Sequence, residues 1–351
     1  MGAHQGTGGV RLDGPWNAVH PARPPSLRPG DVIGVISPSS PGAPVAPQRF
    51  RRATDALRGM GFEVREGART WSTGDSAGTP QERAAEINGF LRDPEVRAVI
   101  ATIGGYTCNA VLPLIDYAAL RQDPKIVIGY SDITALLLAC VAKSEVVTFH
   151  GPTLLAEFGE FPAPLPYTRD SFCEVLSRPV AAGPLRQPSE RTDQFLLWDA
   201  EDTRARAPET APPRLWITEG RADGPLLGGN LETLSVLAGT EYLPDLRGAV
   251  LLWETCATSV SRVDQLLTQL GMLGLTDSLA GMIVGQGFRA PPEFEGALHA
   301  HLAERYADCG FPVVVGALVG HSDPMPTLPL GCRVVLDSAR GSVEVIDAAV
   351  R

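Results

Sequence analysis

The sequence predicts an α/β protein with an N-terminal doubly wound parallel-sheet domain and a smaller C-terminal α/β domain with a β-rich core. Short apolar runs alternate with helical patterns from residue 27 to about residue 175, as in a doubly wound sheet. The run Arg97–Ile103 is continuously apolar, which is typical of a strand covered on both faces. The pattern stops in a Pro-rich segment, 178–214, and resumes at Leu215.

These shifts divide the chain into four parts. We expect a flexible tail over 1–26, an N-terminal domain over 27–177, a Pro-rich linker over 178–214, and a C-terminal domain over 215–351. A connection as long as the third part is usually functional or disordered.

The composition excludes several classes of protein. The 351 residues carry a formal charge of −10, with 44% hydrophobic and 20% charged residues, so the chain is globular and does not favour nucleic acid. No run approaches the roughly 18 apolar residues of a membrane span, and the N-terminus lacks the apolar core of a secretory signal. The six cysteines form no CxxC pair. We therefore expect a cytoplasmic protein without a disulfide framework or a zinc knuckle. We also expect no cofactor.

The first elements follow from local patterns. Val32–Ser37 predicts a strand, and Ala46–Met60 predicts a helix with its apolar residues on one side, ended by a glycine. Phe62–Arg65 predicts a second strand. Thr79-Pro80-Gln81-Glu82 begins a helix, because it combines an N-cap threonine, a proline at the first helical position and a glutamate that completes a capping box.

Further along, Ile126–Tyr130 and Glu145–Phe149 predict strands, and Asp132–Ala142 between them predicts a helix that is apolar almost all round and therefore buried. In the C-terminal part, the last two strands form a hairpin across the turn sequence SARG. The predicted elements there are strands at Ala249–Trp253, Ala280–Val284, Val313–Leu318, Arg333–Asp337 and Ser342–Ile346, and helices at Arg262–Met272 and Glu293–Tyr306.

Gly129-Tyr130-Ser131-Asp132 lies where a buried strand meets a buried helix. This is the context of a nucleophile elbow, in which a strained turn exposes a serine hydroxyl. The helix start also offers free backbone N–H groups for an oxyanion. The alternative is that Ser131 is only an N-cap, and the second glycine of G-x-S-x-G is replaced by Ile133.

Ile103-Gly104-Gly105-Tyr106 also follows a buried strand directly. Its glycines let the backbone approach a ligand closely, and a phosphate loop is the alternative, although the full nucleotide-binding patterns are absent. Because the carboxyl ends of parallel strands meet at one edge, N–H groups from Gly104–Gly105 and from Asp132 could together hold an oxyanion.

A serine nucleophile needs a base and an orienting acid. His321 lies in a loop after an apolar strand, where functional histidines are frequent. His150 ends a strand, where a structural role is more common. Glu254 closes the apolar strand before it, and a carboxylate there needs a partner unless it turns to solvent.

Together these segments resemble the LD-carboxypeptidase family of serine peptidases, which includes the MccF-like enzymes of microcin C self-immunity. The resemblance covers about residues 27–345. It rests on seven motifs in order: GDVIGVISPSSP near the start, IGGY at 103–106, GYSD at 129–132, HGP at 150–152, LLGGNLETL at 226–234, LLWE at 251–254 and GHSDPMPTLPLG at 320–331.

The resemblance implies a Ser–Glu–His triad in which Ser131 is the nucleophile, Glu254 the orienting acid and His321 the base. It implies that backbone N–H groups of Gly105 and Asp132 form the oxyanion hole. Family members cleave an amide bond in small amphoteric compounds, either murein tetrapeptides or aminoacyl-nucleotides, and are usually homodimers without a metal.

The long interval between Ser131 and Glu254 favours the MccF-like branch, whose extended loop covers the substrate with aromatic groups. Trp198 or Trp216 could stack on a ring, although both could equally anchor the loop. Substrate contacts are also expected from Gly104, Tyr106 and Asn230. One feature disfavours this branch, since residues 255–260 (TCATSV) contain no basic residue to meet a phosphate.

Three alternatives remain open from the sequence. The first is a murein tetrapeptide LD-carboxypeptidase, and the second is a triad enzyme of a specialised biosynthetic pathway that acts on another amide or ester. The third is a metabolite-binding module without chemistry, in which Ser131 would be only a cap. Cys108, just after the Gly-Gly loop, is a competing nucleophile.

Overall fold

The computed structural model describes residues 21–351, which form two sheets with helices packed against them. The strands are β1 (Val32–Ile36), β2 (Glu63–Glu66), β3 (Val96–Ala101), β4 (Ile126–Gly129), β5 (Thr148–His150), β6 (Ala181–Pro184), β7 (Glu190–Arg191), β8 (Glu209–Thr210), β9 (Leu215–Thr218), β10 (Arg221–Asn230), β11 (Val250–Glu254), β12 (Gly281–Gly285), β13 (Val313–Ala317), β14 (Leu328–Leu330), β15 (Arg333–Asp337) and β16 (Ser342–Ala348).

The α-helices are α1 (Pro47–Gly59), α2 (Pro80–Arg92), α3 (Tyr117–Gln122), α4 (Thr134–Ser144), α5 (Pro166–Ser177), α6 (Leu231–Leu237), α7 (Val260–Met272) and α8 (Phe294–Arg305). Short 3₁₀ turns at Cys108–Leu114 and Ser131–Ile133 and a π-helical turn at Leu154–Phe158 lie between them. None of the helices in residues 21–351 is both long and apolar enough to cross a membrane.

The first sheet has the strand order β14-β5-β4-β3-β1-β2, and all of its neighbours are parallel except β14 and β5. Strand β14 comes from the C-terminal part of the chain, so the two parts interlock. Helix α4, with nine of its eleven residues buried, packs against this sheet and against α6 and β10 of the second. It is the buried helix that its apolar sequence predicts.

The second sheet has the order β6-β16-β15-β10-β11-β12-β13-β9. Its centre, β10 to β13, is parallel, and antiparallel strands flank it on both sides. The predicted α/β class with two sheet domains is confirmed. The capping box of α2 and the β15–β16 hairpin are present as predicted, with helix and strand ends within a few residues of expectation.

Residues 21–26 differ from the expected tail, of which residues 1–20 lie outside the described part. The Ala22 N–H donates to the Glu145 carbonyl (2.6 Å), and the Val147 N–H donates to the Ala22 carbonyl (3.0 Å). The Ser26 N–H also donates to the carbonyl of Arg351 (2.9 Å). Backbone hydrogen bonds to distant residues, which a pattern of side chains cannot reveal, hold this segment in place.

The Pro-rich segment 178–214, which we call the covering segment, carries strand β6 of the second sheet and the small β7–β8 pair. Two of its charged side chains tie it to the rest of the molecule. Asp202 pairs with Arg49 (2.7 Å) and with Arg52 (2.5 Å) on α1, and Arg206 pairs with Asp323 (2.5 Å). These ion pairs are largely buried, so they hold the segment against both parts of the chain.

The packing around α4 predicts a large effect of truncating its core residues. Leu137 is fully buried, so Leu137→Ala should lower the free energy of unfolding by about 2–5 kcal/mol through lost burial and the cavity left behind. Leu273, at the end of α7, is 45% exposed, and Leu273→Ala should change it by less than about 0.5 kcal/mol. Urea unfolding of both variants measures this, and equal effects would contradict the described burial.

Candidate active site

A cleft of about 550 Å³ opens where strands of both sheets end. Its walls include residues that directly follow the carboxyl ends of β3, β4, β10, β11 and β12, and the loop after β13. Ligands of open α/β sheets bind at such edges. The cleft therefore gathers the loops on which the candidate residues lie.

Ser131 lies in a sharp turn between β4 and α4. Its φ is 61°, a left-handed conformation that is strained for a residue with a side chain. At the preceding Gly129, a Cβ would lie 2.9 Å from the Ile133 side chain, so the turn needs glycine there. The Ser131 hydroxyl lies 3.1 Å from His321 Nε2 and caps neither helical turn. The geometry is that of a nucleophile elbow rather than of an N-cap.

His321 joins Ser131 to a buried carboxylate. Its Nδ1 lies 2.7 Å from Glu254 Oε2, and the Glu254 side chain is fully buried. The other carboxylate oxygen accepts a hydrogen bond from Asn230 Nδ2 at 3.2 Å. Glu254 therefore has a partner on each oxygen, which offsets the cost of its burial.

The pKa values of this pair are set by burial and by mutual attraction. Burial alone lowers the pKa of His321, but the charge of Glu254 and the hydrogen bond to it outweigh burial and raise that pKa above its usual 6.5. For Glu254, burial alone raises the pKa, and the attraction and hydrogen bond of His321 outweigh it, so the pKa lies below its usual value. Each partner thus stabilises the charged form of the other.

Two aromatic rings fix the imidazole of His321. Tyr130 contacts it edge-on with ring centres 4.9 Å apart, and Phe288 stacks on it at 5.9 Å. The Tyr130 hydroxyl donates to Glu157 (2.8 Å), whose pKa is raised to about 8 by burial and by the nearby charge of Asp323. Neither Phe288 nor Glu157 is among the site residues predicted from the sequence. Phe288 lies three residues after the end of β12. The expectation that site residues follow the carboxyl ends of parallel strands therefore also applies to it.

The Gly-Gly loop lies directly against the serine. A Cβ on Gly104 would lie 2.9 Å from Ser131 Cβ and 3.3 Å from the backbone nitrogen of Asp132. Gly105 has φ 148°, and a Cβ there would lie 2.4 Å from the hydroxyls of Ser39 and Ser40. The loop therefore brings backbone close to Ser131 in a way that only glycine permits.

The Asp132 side chain locks this arrangement. It accepts hydrogen bonds from the Ser39 hydroxyl (2.6 Å) and from the Cys108 N–H (2.9 Å). Ser39 is also a residue that a Cβ on Gly105 would meet, and Cys108 follows the Gly-Gly loop in the sequence. Cys108 itself is fully buried, and burial raises the pKa of its thiol well above the usual value. A buried, protonated thiol is a poor nucleophile.

The expected substrate contacts separate into two groups. Trp198, under which Arg49 lies at 4.7 Å, lines the cleft together with Asn230, and Tyr106 is 94% exposed at its edge. Trp216 does not line it. It lies on β9, where it pairs with Val314 of the neighbouring strand and packs against the core. The expectation of substrate stacking by Trp216 is corrected, because its strand forms the far edge of the second sheet.

His150, the other histidine considered as a base, is fully buried on β5 and contacts the ring of Tyr130. Neither of its ring nitrogens has a hydrogen-bond partner among the described residues. Burial lowers its pKa to about 4, so it stays neutral. Across residues 21–351, no cluster of three or more His, Cys, Asp or Glu side chains is arranged to hold a metal ion.

Comparison with known proteins identifies the family of this chain. Sequence profiles of the LD-carboxypeptidase N-terminal and C-terminal domains match residues 33–151 and 223–336. The microcin C7 self-immunity protein MccF of Escherichia coli is 31% identical over 93% of this chain and 96% of its own. This chain belongs to the LD-carboxypeptidase family. The murein tetrapeptide carboxypeptidase of Pseudomonas aeruginosa is 28% identical over 75% of this chain and 80% of its own.

Solved structures of the family share the fold. Wild-type MccF without ligand superimposes with a TM-score of 0.87 at 31% identity, covering 94% of this chain and all of the other. The muramoyltetrapeptide carboxypeptidase of Oxalobacter formigenes has a TM-score of 0.72 at 25% identity, covering 89% and 97%. MccF has also been solved in complex with aspartyl sulfamoyl adenosine. The predicted family is thereby confirmed, and this chain is a serine peptidase of the LD-carboxypeptidase type.

The close packing around Glu254 predicts the effect of a single methyl group. A Cβ on Gly320 would lie 2.3–2.5 Å from the Glu254 side chain, at a φ of 90°. Gly320→Ala should displace the carboxylate and slow labelling of Ser131 by a fluorophosphonate at least tenfold, roughly one lost charged hydrogen bond. Gly310 has a similar φ of 74° with open space around it. Gly310→Ala should therefore leave labelling unchanged, and equal loss in both variants would show a general backbone effect.

Proposed function

We propose that this protein cleaves an amide bond in a small peptide or aminoacyl-nucleotide-like compound through an acyl-enzyme. The observation that carries the proposal is the continuous line of contacts from the strained Ser131 through His321 to the buried Glu254. Ser131 is the nucleophile, His321 the general base and then the general acid, and Glu254 holds the imidazole in one tautomer and stabilises its charge.

In the first half-reaction, the Ser131 oxygen bonds to the amide carbon while its proton passes to His321 Nε2. The negative charge on the former carbonyl oxygen is met by the backbone N–H groups of Gly105 and Asp132. The C–N bond then breaks as His321 gives its proton to the leaving nitrogen. In the second half, water attacks the ester with His321 as base, and the acid and free Ser131 are released.

An aminoacyl-nucleotide-like substrate is supported by the residues that line the cleft and by the similarity of this chain to MccF. Trp198 of the covering segment lines the cleft, and its indole offers a flat face for a base. MccF, a relative of this chain, has been solved with aspartyl sulfamoyl adenosine and with glutamyl sulfamoyl guanosine. A murein tetrapeptide is the second candidate, supported by the relationship to the murein tetrapeptide carboxypeptidase. The cytoplasmic location expected from the cysteine pattern and the homodimer that the family resemblance implies stay predictions.

The nucleophile is tested by replacing Ser131 and Cys108 in parallel. Ser131→Ala should lower turnover of aspartyl sulfamoyl adenosine or of a murein tetrapeptide by about a million-fold, because the triad acts as a unit. Cys108→Ala should keep most of the activity, since the thiol is buried away from the cleft. Product formation by mass spectrometry measures both. An active Ser131→Ala protein beside an inactive Cys108→Ala protein would overturn the assignment.

The pH dependence tests the Glu254–His321 pair. His321 must be neutral to accept a proton, so activity should rise with pH through its raised pKa, above 6.5. Glu254→Gln removes the charge that raises the pKa of His321, while the burial that lowers this pKa remains. The rise of activity with pH should therefore occur at lower pH. The maximal rate should fall by about 10⁴-fold, because an amide supports the wrong tautomer. A rise that stays at the same pH, or a near-normal rate, would contradict the assigned role of Glu254.

A further inference from the structure

The arginines that line the cleft differ in their partners. Arg49 pairs with Asp202 (2.7 Å) and Glu160 (3.0 Å), and Arg206 pairs with Glu160 (2.7 Å) as well as with Asp323. These two cations are neutralised within the protein. The third cleft arginine, Arg289, has no carboxylate within ion-pair distance among residues 21–351, and its side chain makes no hydrogen bond there. Among the three cleft arginines, Arg289 is therefore the one without a carboxylate partner in the described residues.

The backbone holds Arg289 in an unfavourable conformation. Its φ is 53°, and Ala257 on the neighbouring loop has a φ of 49°. The two loops are joined by the bridge between Cys256 and Phe288 and by the hydrogen bond from the Ala257 N–H to the Phe288 carbonyl (2.8 Å). Left-handed conformations in residues with side chains cost free energy and concentrate at functional sites. Here both lie in one wall of the cleft.

Arg289 lines the same cleft as Ser131 and His321. The preceding residue, Phe288, stacks on the imidazole of His321. Arg289 is therefore the chain neighbour of a residue that contacts the catalytic base. Its guanidinium lies 4.8 Å from the ring centre of Phe195 on the covering segment. The aromatic face orients the planar group without neutralising its charge. The guanidinium therefore lies against the covering segment, in the cleft that Ser131 and His321 also line.

We propose that Arg289 is a specificity-determining residue of this cleft that binds a carboxylate of the substrate. A guanidinium presents two parallel N–H donors that match the two oxygens of a carboxylate. Residues 255–260, directly after Glu254, contain no basic residue, so the loop after β12 supplies the charge in this chain. The inference rests on the proposed function, because it assigns a substrate-binding residue to the same site.

The cleft also contains a carboxylate that could compete for Arg289. Glu232, at the start of α6, lines the cleft, and its Oε2 has no hydrogen-bond partner among the described residues. If Arg289 served only to pair with Glu232 when a substrate binds, its loss would weaken every substrate equally. A carboxylate-binding role instead makes the loss depend on the charge of the substrate.

The test uses two pairs of compounds whose members differ in one charge. Aspartyl and asparaginyl sulfamoyl adenosine differ at the acyl side chain, and a murein tetrapeptide and its C-terminal amide differ at the leaving amino acid. Binding is measured by calorimetry in the Ser131→Ala background, so that no compound is consumed. Adding Arg289→Gln should weaken binding of the charged member of one pair by about tenfold, the size of one charged hydrogen bond that is partly open to solvent.

The neutral member of that pair should change by less than about twofold, and Arg289→Lys should restore part of the preference. Arg204→Gln is the matched control, because Arg204 is exposed on the covering segment and does not line the cleft. Equal weakening of both members, or no preference for the charged member in either pair, overturns the proposal. Failure of the proposed function would appear separately, as turnover that survives in the Ser131→Ala protein.

Discussion

The hydrogen bond between Glu254 and His321 is the interaction on which the rest of the site depends. A carboxylate with no exposed surface is stable as a charge only if its partners are already in place. The surrounding chain is built around that requirement. Asn230 hydrogen-bonds to one carboxylate oxygen of Glu254 and His321 to the other. Glycines at 285 and 320 leave room for this side chain, because a Cβ at either position would collide with it.

The same requirement explains why two sheets are needed. Ser131 and the Gly-Gly loop follow strands of the first sheet, whereas Glu254 and Asn230 are the last residues of strands of the second. Each sheet alone positions only part of the group. Helix α4, which begins just after Ser131 and packs against β10, is the shared core that fixes the distance between the two edges. The covering segment then adds Trp198 and Phe195 to the cleft through ion pairs on both sides.

Much of the fold and of the site could be predicted from the sequence. Buried parallel strands appear there as apolar runs, and functional loops follow the ends of these strands. This pattern predicts Ser131, Glu254 and His321 as site residues, and the structure places them in contact. It could not separate Trp198 from Trp216. Both are aromatic residues beside a Pro-rich segment, and only the pairing of β9 with β13 shows that the second belongs to a sheet edge.

Long-range backbone pairing accounts for the other differences. The strand of Leu328–Leu330 contains proline at its centre, which is unusual except at a sheet edge. Its place beside β5 follows from tertiary contacts rather than from local preference. The anchoring of residues 21–26 through main-chain groups is of the same kind. The stacking of Phe288 and the packing of Tyr130 on His321 also depend on which loops meet in space.

The position of β14 in the first sheet has a consequence for synthesis on the ribosome. The outer edge of β5 keeps unpaired backbone groups until residues near 330 have emerged, and His321 emerges only just before them. One short stretch of nascent chain therefore both closes that edge and delivers the imidazole to the serine. A nascent chain that has not yet extended past residue 330 has neither this edge of the first sheet paired nor the contact between Ser131 and His321 formed.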